Sequence, residues 1–436
     1  MKKQLCNIIL LVVDIFAIWV SFGVAVELKN LFYGNHILWD ISRYQGFAIA
    51  YAVMIFLFLY QGIYARRYDF WHETGIVVKS CFLGLLLTLA TLALIKINYE
   101  FSRASLILGF AFMVFLVPIF KFTAKLFLFR LGIWKKRAKI LGENNEFELE
   151  IFTDRYLGYV RAEEVDYESL FIGGSGLDAQ DLNELIEQNI KENKEILFTP
   201  VLRGYDFTRV HIYSIFNSRT SLFALQNSLQ NKFNIALKRA LDILLILLAS
   251  PFLIIIFGAV VLIMKINEPN GRILFSHQRM GLNGKLFGCL KFRSMRENGD
   301  EILKKYLEKN PQEVEYFKKY HKYKNDPRIT KFGDFMRKTS LDELPQLINV
   351  LKGEMSIVGP RPCAQYEKKD MGKYADLILG VMPGITGVWQ VSGRSDVDFG
   401  MRAQMDAWYM KNWCIWNDIV IIIKTFKVVL MRKGAS

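Results

Sequence analysis

The chain of 436 residues is long enough for two or three domains, and its composition is that of a membrane protein. Hydrophobic residues make up 52% of it, which is too apolar for an ordinary soluble chain. The formal net charge of +14 suits anionic lipid or phosphorylated ligands, and the apolar stretches beside the basic clusters argue against a nucleic-acid partner. The five cysteines form no C-x-x-C pair, so neither a disulfide framework nor a zinc site is indicated.

Four apolar segments come first, and each is close to the ~20 residues that a membrane-spanning helix needs. Seven basic residues and no acid then lie between positions 121 and 139. The positive-inside rule places this end, and with four spans also the N-terminus, in the cytoplasm. Asp14 and Lys79 lie near or inside the segments and are expected to face other helices or the interface. The segments are Leu5 to Val26, Gly46 to Ile63, Ile76 to Ile95 and Ser105 to Phe120.

A small α/β domain with a partly parallel sheet is expected next. The pattern is a strand at A-K-I-L-G, a strand in S-L-F-I-G-G-S-G, a helix near Asp178 to Asn193 and a strand at E-I-L-F-T-P-V. This order is Rossmann-like, but the first strand is followed by L-G-E-N-N-E-F, which lacks the glycines of a dinucleotide fingerprint. Gly173, Gly174 and Gly176 are interpreted as a turn rather than a phosphate cradle. We therefore expect a regulatory or oligomerisation module without bound dinucleotide.

A second apolar stretch, Ala240 to Met264, has Ser250 and Pro251 at its middle. Proline removes a helix hydrogen bond and bends the axis, and a neighbouring serine can satisfy part of the freed backbone. One interpretation is a kinked helix that crosses the membrane. The other, which the cations at both ends favour, is a re-entrant helix that enters and leaves one leaflet; Lys238 precedes the stretch and Lys265 follows it.

The most informative stretch runs from Lys338 to Pro362 and reads K-T-S-L-D-E-L-P-Q-L-I-N-V-L-K-G-E-M-S-I-V-G-P-R-P. Ser340, followed three residues later by Glu343 and then by an apolar run, is a capping-box signature, so a helix is expected to start at Leu341. Asp342 and Glu343 then lie in the first turn, where the helix dipole favours carboxylates and phosphate groups. Acidic first-turn residues are also common in helices without any function, so the neighbouring motifs decide their meaning.

Those motifs are G-R-I-L-F-S-H-Q-R-M-G (271–281), L-K-F-R-S-M (290–295), D-P-R-I-T-K-F-G (326–333) and P-G-I-T-G-V-W-Q-V-S-G-R (383–394). With the D-E block, the chain resembles the bacterial polyprenyl-phosphate sugar-phosphate transferases. These are the monotopic phosphoglycosyl transferases that begin surface polysaccharide assembly. The N-terminal half resembles the large members of that family, among them the undecaprenyl-phosphate galactose phosphotransferases.

The resemblance implies a fold of membrane α plus α/β class. Four transmembrane helices are expected at 1–137, a Rossmann-like cytoplasmic domain at 138–226, and an α+β catalytic domain at 227–436. A re-entrant helix-break-helix at 235–265, with its break at Ser250 and Pro251, would anchor the catalytic domain. The expected location is the bacterial inner membrane, with the catalytic domain on the cytoplasmic face, and we expect a homodimer.

The resemblance also implies a reaction: transfer of a hexose 1-phosphate from a UDP-hexose to undecaprenyl phosphate, which releases UMP. Galactose is the favoured hexose and glucose the alternative. Asp342 would be the nucleophile and Glu343 its partner, and the two carboxylates would hold Mg²⁺. Adjacent carboxylates cannot both point at one phosphorus, which favours a covalent aspartyl intermediate. Direct attack by the lipid phosphate, with both carboxylates serving only the metal, is the competing mechanism.

Basic residues of the same motifs supply the expected phosphate ligands, because arginine makes bidentate phosphate contacts and lysine acts as a point charge. Lys291 and Arg293 lie two apart, on one face if that stretch is a strand. Arg361 lies between two prolines. Gln390 and Arg394 belong to the glycine-bearing 383–394 motif, where small residues allow a close backbone approach to a ligand.

Two other classes of protein combine membrane spans with an α/β domain. One is a non-catalytic scaffold or regulator of polysaccharide assembly, which would tolerate loss of the D-E pair, so the intact pair argues against it. The other is an NAD-dependent nucleotide-sugar dehydratase, and the missing glycine fingerprint argues against that.

Overall fold

The computed structural model describes residues 2–33, 40–95, 102–141, 145–162, 166–172, 186, 188–189, 194–198, 211–215, 220–224, 228–267, 271–296, 298–314, 323, 326–392 and 398–431. The chain forms two compact units, Met1–Arg203 and Gly204–Ser436. The boundaries expected near positions 137 and 226 stay predictions. All five cysteines are free thiols.

Apolar helices dominate the start of the first unit. Their side chains build one core, in which Phe22, Met54 and Phe110 are fully buried, while many other apolar side chains face outward. Four stretches are long and apolar enough to cross a membrane, at Gln4–Phe32, Ile41–Tyr60, Phe70–Ile95 and Arg103–Arg130, which agrees with the four predicted spans. The helices are α1 (Lys2–Tyr33), α2 (Ile41–Gln45), α3 (Ala48–Tyr60), α4 (Phe70–Ile95) and α5 (Arg103–Arg130).

A group of buried charges lies inside this bundle. The Lys121 ammonium is 3.0 Å from Asp14 Oδ2 and 3.2 Å from Glu73 Oε1, and Lys125 pairs with Glu73 as well. The Tyr64 hydroxyl donates to Asp14 at 2.6 Å. Asp14 therefore faces other helices, as expected. Lys121 and Lys125, however, are not loop cations flanking the membrane but the buried partners of two carboxylates.

The turn after α6 (Asn145–Thr153) ties the bundle to the sheet of the same unit. The Tyr156 hydroxyl donates to Glu73 Oε2 at 2.8 Å. The Arg67 guanidinium donates to the carbonyls of Leu157 at 2.7 Å and Trp134 at 2.9 Å, and it lies 4.1 Å from the Trp134 ring. This junction is therefore held by charge-assisted hydrogen bonds as well as by packing.

The sheet of the first unit is four-stranded and wholly parallel, in the order β2-β1-β3-β4. A sheet was expected here, but it is wholly rather than partly parallel; its interpretation as a Rossmann-like domain stays a prediction. The three glycines at 173, 174 and 176 and most of the helix expected near 178–193 lie outside the described residues. The strands are β1 (Lys136–Leu141), β2 (Tyr159–Arg161), β3 (Ser169–Ile172) and β4 (Glu195–Phe198).

The second unit mixes short strands and helices around several small cores. Its strands pair two by two: β5 (His211–Ile215) with β6 (Thr220–Ala224), β7 (Leu274–Met280) with β8 (Leu286–Phe292), and β9 (Ser356–Val358) with β10 (Gly384–Thr386). Its helices are α7 (Lys232–Asn267), α8 (Gly299–Lys309), α9 (Lys331–Lys338), α10 (Gln346–Lys352), α11 (Ala375–Leu379), α12 (Val388–Ser392), α13 (Phe399–Lys411) and α14 (Ile415–Met431). Single 3₁₀ turns or helices occupy Ser228–Gln230, Leu282–Gly284, Leu341–Glu343 and Gln365–Tyr374.

Helix α7 is one continuous helix with Pro251 inside it, so the expected separation into two helices is wrong. Pro251 has no N–H for the carbonyl of Leu247, four residues earlier. The Ser250 hydroxyl donates to that carbonyl at 2.8 Å, which is the backbone compensation expected of this serine. Because the freed carbonyl is satisfied, the helix continues through the proline.

The N-terminal part of α7 is bound to the second unit by polar contacts. The Lys238 ammonium is 2.6 Å from Asp418 Oδ2, and Asp242 accepts hydrogen bonds from the Ser356 hydroxyl at 2.8 Å and the Ile357 amide at 3.1 Å. All these carboxylates are buried.

The C-terminal part of α7 packs on the same unit through apolar side chains. Val260 and Met264 share a buried cluster with Phe292 and Met336. Between the two ends the side chains are mostly exposed and apolar, including Leu247, Leu248, Phe252, Ile254 and Ile255. One globular unit therefore contacts both ends of α7 and leaves its middle uncovered; whether the helix re-enters or crosses the membrane stays a prediction.

Candidate active site

The D-E pair lies on a turn of its own, not in the first turn of a longer helix. Leu341–Glu343 form a 3₁₀ turn, Ser340 has a left-handed backbone (φ 57°) and makes no side-chain cap, and α10 begins only at Gln346. The capping-box prediction is therefore wrong. Pro345 explains why: in a helix starting at Leu341 it would lack the N–H for the Leu341 carbonyl, and its ring would collide with that group.

Lys291 on β8 brings the two carboxylates together. Its ammonium is 2.6 Å from Glu343 Oε1 and 3.8 Å from Asp342 Oδ2. Asp342 is only 6% exposed, whereas Glu343 is partly open. Three of the predicted site residues, Asp342, Glu343 and Lys291, are thus neighbours in the structure although Lys291 lies 51 positions before Asp342 in the chain.

The surroundings of Asp342 set its protonation. Burial raises the pKa of this carboxyl to about 6, and Glu343 adds to the increase, while the charges of Lys291 and Arg337 oppose it. Asp342 is therefore mainly ionised at neutral pH and is poorly solvated, two conditions that a carboxylate nucleophile needs. Arg337, in the last turn of α9, was missed by the sequence analysis; its place five residues before the D-E pair was the available signal.

One face of the β7–β8 hairpin carries a row of basic side chains. Directly paired residues share a face, and the pairs are Phe275 with Lys291, His277 with Cys289, and Arg279 with Phe287. The row from Lys291 to Arg279 is about 14 Å long at the rise of a β-strand. Arg279 ends it in an ion pair, its Nη1 3.2 Å from Glu367 Oε2. Arg279 was quoted within a motif but not singled out.

Two other predicted ligands, Arg293 and Gln390, contact other parts of the chain. Arg293 follows the end of β8 and packs on Gly271, where an added Cβ would lie 1.8 Å from its Nη2. The Gln390 side-chain amide donates to the Ile385 carbonyl at 3.2 Å. Arg394 lies outside the described residues. Substrate roles for these three stay predictions.

Arg361 differs from the other cations of the site. Lys291 is paired with Glu343 and Arg279 with Glu367, but the exposed Arg361 guanidinium forms no ion pair with any residue that the structure describes. Its Cζ lies 5.8 Å from the Trp389 ring, and the Cζ of Arg402, missed by the sequence analysis, lies 4.8 Å from the same ring. Arg361 therefore offers a cation to an incoming anion.

The glycines of the 383–394 motif serve a close approach, but to the chain itself. A Cβ at Gly384 would lie 2.1 Å from the Gly359 nitrogen, and a Cβ at Gly387 would lie 2.5 Å from the Gly359 carbonyl oxygen. Only glycine allows β9 and β10 to pack this tightly just before Arg361. Gly384 and Gly387 thus have a packing role, Gly393 lies outside the described residues, and the expectation that the motif admits a ligand stays a prediction.

The residues fit Mg²⁺ only if a substrate supplies some of the metal ligands. Among the described residues no group of three or more His, Cys, Asp or Glu side chains could hold a metal on its own. Mg²⁺, however, is commonly bound by one or two carboxylates together with substrate phosphate oxygens and water. Asp342 and Glu343 supply those two carboxylates, so a cation that arrives with a diphosphate is compatible with the site.

Comparison with known proteins identifies the family. Residues 233–432 match the model of the bacterial sugar transferase family. The whole chain aligns with 98% of an undecaprenyl-phosphate galactose phosphotransferase from Salmonella typhimurium at 34% identity. A UDP-glucose:undecaprenyl-phosphate glucose-1-phosphate transferase from Klebsiella pneumoniae is 32% identical over 66% of this chain and 60% of its own. Exopolysaccharide production protein ExoY from Sinorhizobium fredii is 43% identical over 45% of this chain and 87% of its own.

These similarities confirm the resemblance seen in the sequence motifs. The matched region contains the whole site built above: the D-E turn, the β7–β8 hairpin and the Arg361 segment. With a full-length relative at 34% identity, the chain belongs to the bacterial sugar transferase family of phosphoglycosyl transferases.

Proposed function

We propose that the protein transfers a hexose 1-phosphate from a UDP-hexose to undecaprenyl phosphate and releases UMP, at the cytoplasmic face of the bacterial inner membrane. The product would begin an O-antigen, capsule or exopolysaccharide. Galactose is the proposed hexose, since the full-length relative is named a galactose phosphotransferase. Glucose is the second candidate, because the Klebsiella relative is named for UDP-glucose.

The observation that carries the proposal is the environment of Asp342. This carboxylate is buried, adjacent to Glu343 and 3.8 Å from Lys291. We assign it the role of nucleophile: an Asp342 oxygen forms a bond to the sugar-bearing phosphorus, the bond from that phosphorus to the UMP oxygen breaks, and UMP leaves. An oxygen of the lipid phosphate then attacks the same phosphorus and releases the Asp342 carboxylate. One phosphoanhydride replaces another, so binding and electrostatics are the protein's main contributions.

The basic side chains have distinct parts in this scheme. Lys291 holds Glu343 and keeps Asp342 ionised. Arg361, the cation without a carboxylate partner among the described residues, binds a substrate phosphate. Glu343, with Asp342, would hold Mg²⁺, which when bound neutralises diphosphate charge. Glu343→Gln should therefore impair the reaction, with partial rescue at high Mg²⁺.

The packing of α7 supports attachment to one membrane leaflet. A straight helix of 36 residues would be about 54 Å long, well beyond a hydrocarbon core of about 30 Å. Both of its ends contact the same globular unit, while the apolar middle around Pro251 is exposed. A continuous helix that bends at Pro251, so that its middle enters the bilayer while both ends stay with the globular unit on one side, satisfies both observations. Cysteine labels near Lys238 and Lys265 should both be shielded from an impermeant reagent in intact cells.

The decisive experiment traps the covalent species. The full-length protein in nanodiscs is incubated with labelled UDP-galactose or UDP-glucose, without lipid acceptor, and UMP release and peptide labelling are measured. We expect label on the peptide that contains Asp342 and none in Asp342→Asn. Asp334→Asn is the matched control, since Asp334 is an exposed acid paired with Lys338 on the preceding helix. Sequential kinetics together with an unlabelled peptide would establish direct attack by the lipid phosphate instead.

A further inference from the structure

Five backbone polar groups between Gly359 and Cys363 are hydrogen-bonded. The Pro360 and Pro362 rings restrict rotation on either side. The segment's hydrogen bonds run from Gly359 N to Thr386 O (2.9 Å), Gly384 N to Pro360 O (2.7 Å), Cys363 Sγ to Arg361 O (3.2 Å) and Met280 N to Cys363 O (2.8 Å). The Arg361 amide donates to the carboxyl group of Asp406 on α13.

Asp406 is an unusual partner for that amide. It is only 5% exposed, and its Oδ1 has no hydrogen-bond partner among the described residues. An ionised carboxylate with a single amide donor is costly in such a place, because burial removes the water that would solvate it. The ionisable groups that face it are the Arg361 guanidinium and the Cys363 thiol. Burial raises the pKa of Asp406 to about 8, and the Arg361 amide and charge only partly oppose it.

The charge state of Asp406 matters for Arg361. The Arg361 guanidinium has no ion pair in the described part of the chain, and it shares the Trp389 ring with the buried Arg402. A neutral Asp406 holds the Arg361 amide without cancelling the guanidinium charge. An ionised Asp406 would attract the same guanidinium and would compete with a substrate phosphate for it.

We propose that Asp406 is a positioning residue that acts as a neutral carboxylic acid: it holds the backbone of Arg361 in place and leaves the guanidinium available for a substrate phosphate. The phosphate part rests on the proposed function, whereas the neutral carboxyl does not. As the pH rises through about 8, Asp406 loses its proton, Arg361 is drawn back, and binding of the UDP-sugar weakens.

The first test is the pH dependence of the KM for the UDP-sugar, measured by UMP release at pH 7 and pH 9. If only the neutral form leaves Arg361 available, about one tenth of the wild-type protein is competent at pH 9, so KM rises about tenfold. Asp406→Asn keeps a neutral acceptor for the Arg361 amide at every pH. Its KM should stay within about twofold of the wild-type value at pH 7, and should change no more than about twofold between the two pH values.

Asp418→Asn is the matched control, because Asp418 is also a buried carboxyl of the second unit but is bound to Lys238, Tyr409 and Trp413. This variant should lose thermal stability and keep the wild-type pH dependence of KM. The proposal is overturned when Asp406→Asn shows the same rise in KM at pH 9 as the wild type, or when its KM at pH 7 is raised tenfold.

A second readout needs no substrate. The infrared difference spectrum between wild type and Asp406→Asn at pH 7 should contain the C=O stretch of a protonated carboxylic acid, and that band should vanish at pH 9. Absence of the band at pH 7 overturns the neutral state. If the band is present but no UDP-sugar yields UMP with the wild-type protein, the proposed function fails while the state of Asp406 stands.

Discussion

Two groups of carboxylates, one in each unit, differ in the cations and donors that surround them. In the helix bundle, Glu73 is contacted by two lysines, Lys121 and Lys125, and by the Tyr156 hydroxyl. In the second unit, the Lys291 ammonium lies close to both Asp342 and Glu343, and the Arg337 charge also acts on Asp342.

We interpret the difference as that between a structural group and the proposed reactive one. The two acids of the bundle, Asp14 and Glu73, are matched by two buried lysines, so removing any member leaves an uncompensated charge in an apolar environment. In the D-E turn, burial raises the pKa of Asp342 to about 6 and Glu343 adds to the increase, while the charges of Lys291 and Arg337 only partly oppose it. A buried carboxylate whose charge is only partly compensated is suited to bind a metal ion or to form a bond to phosphorus. The following variants test this contrast, from the largest expected effect to the smallest.

Asp342→Asn should reduce UMP release by at least about a thousandfold, because it removes the nucleophile. It should not lower the thermal unfolding temperature. A carboxyl whose pKa is raised in the folded state loses stability as the pH rises from its ordinary value to about 6, and that penalty persists at neutral pH. The neutral amide avoids the penalty, so the variant should unfold at the same or a higher temperature. A large loss of stability would show that Asp342 stabilises the fold, as the buried carboxylates of the bundle are expected to do.

Glu73→Gln should show the opposite pattern. It leaves Lys121 and Lys125 without one of their two carboxylates, and a loss of about 3–5 kcal/mol in the free energy of unfolding is expected. The KM for the UDP-sugar should stay at the wild-type value, since every site residue lies in the second unit. Glu27→Gln, a change of an exposed acid on α1, is the control. Unchanged stability in Glu73→Gln would show that the buried charges of the bundle do not stabilise the fold.

The pH dependence of catalysis reports on Asp342 directly. The reactive form is the carboxylate, so kcat/KM should fall as the pH drops through about 6, by about tenfold per pH unit below that value. The measurement is initial-rate UMP release between pH 4.5 and pH 7.5, with the protein shown to stay folded. An activity that is flat down to pH 5 would mean that Asp342 does not act as a base or nucleophile.

Lys291→Met should raise the pH at which kcat/KM begins to fall, the acidic limb of the pH profile, by about one pH unit. The Lys291 charge lowers the pKa of Asp342, so its loss raises the pKa further. The activity at the optimum should also fall, because Glu343 loses its partner at 2.6 Å. Lys285→Met, on the exposed turn of the same hairpin, should leave the limb in place. An unchanged acidic limb would show that Lys291 does not influence the pKa of Asp342.

The smallest effect is expected for Ser250→Ala, about 0.5–1.5 kcal/mol in the free energy of unfolding. The variant leaves the Leu247 carbonyl without the hydroxyl that replaces the missing Pro251 amide. Thr91→Ala removes a similar hydroxyl-to-carbonyl contact, from Thr91 to Leu87 on α4. No proline is involved there, and the Leu87 carbonyl keeps its helix amide. Equal losses in the two variants would show that Pro251 gives Ser250 no special role.

Local patterns explain what the sequence could predict. The four apolar segments, the strands at A-K-I-L-G and L-K-F, and the D-E pair all depend on neighbouring residues, and the structure contains each of them. The capping box was also a local pattern, but it left out Pro345, whose ring prevents a helix from starting at Leu341. The capping-box rule was thus applied without the rule that proline disrupts the interior of a helix.

Long-range pairing explains what the sequence could not predict. Glu73 and its partner Lys121 are 48 residues apart, and each looks like an isolated charge at the edge of an apolar segment. The contact between Arg361 and Asp406 crosses 45 positions from a loop to a helix. Neither the charges that surround such a side chain nor its burial can be known before the fold brings the two residues together.

Under the proposed function, the exposed apolar middle of α7 also determines how the protein meets its lipid acceptor. If this stretch holds the second unit at a membrane surface, a lipid acceptor in that membrane arrives by lateral diffusion within the lipid layer and not through the bulk solution. The quantity that sets the rate is then the number of acceptor molecules per unit of membrane area. Adding inert lipid at a constant amount of acceptor dilutes that surface density and slows turnover, although every bulk concentration of enzyme and acceptor is unchanged.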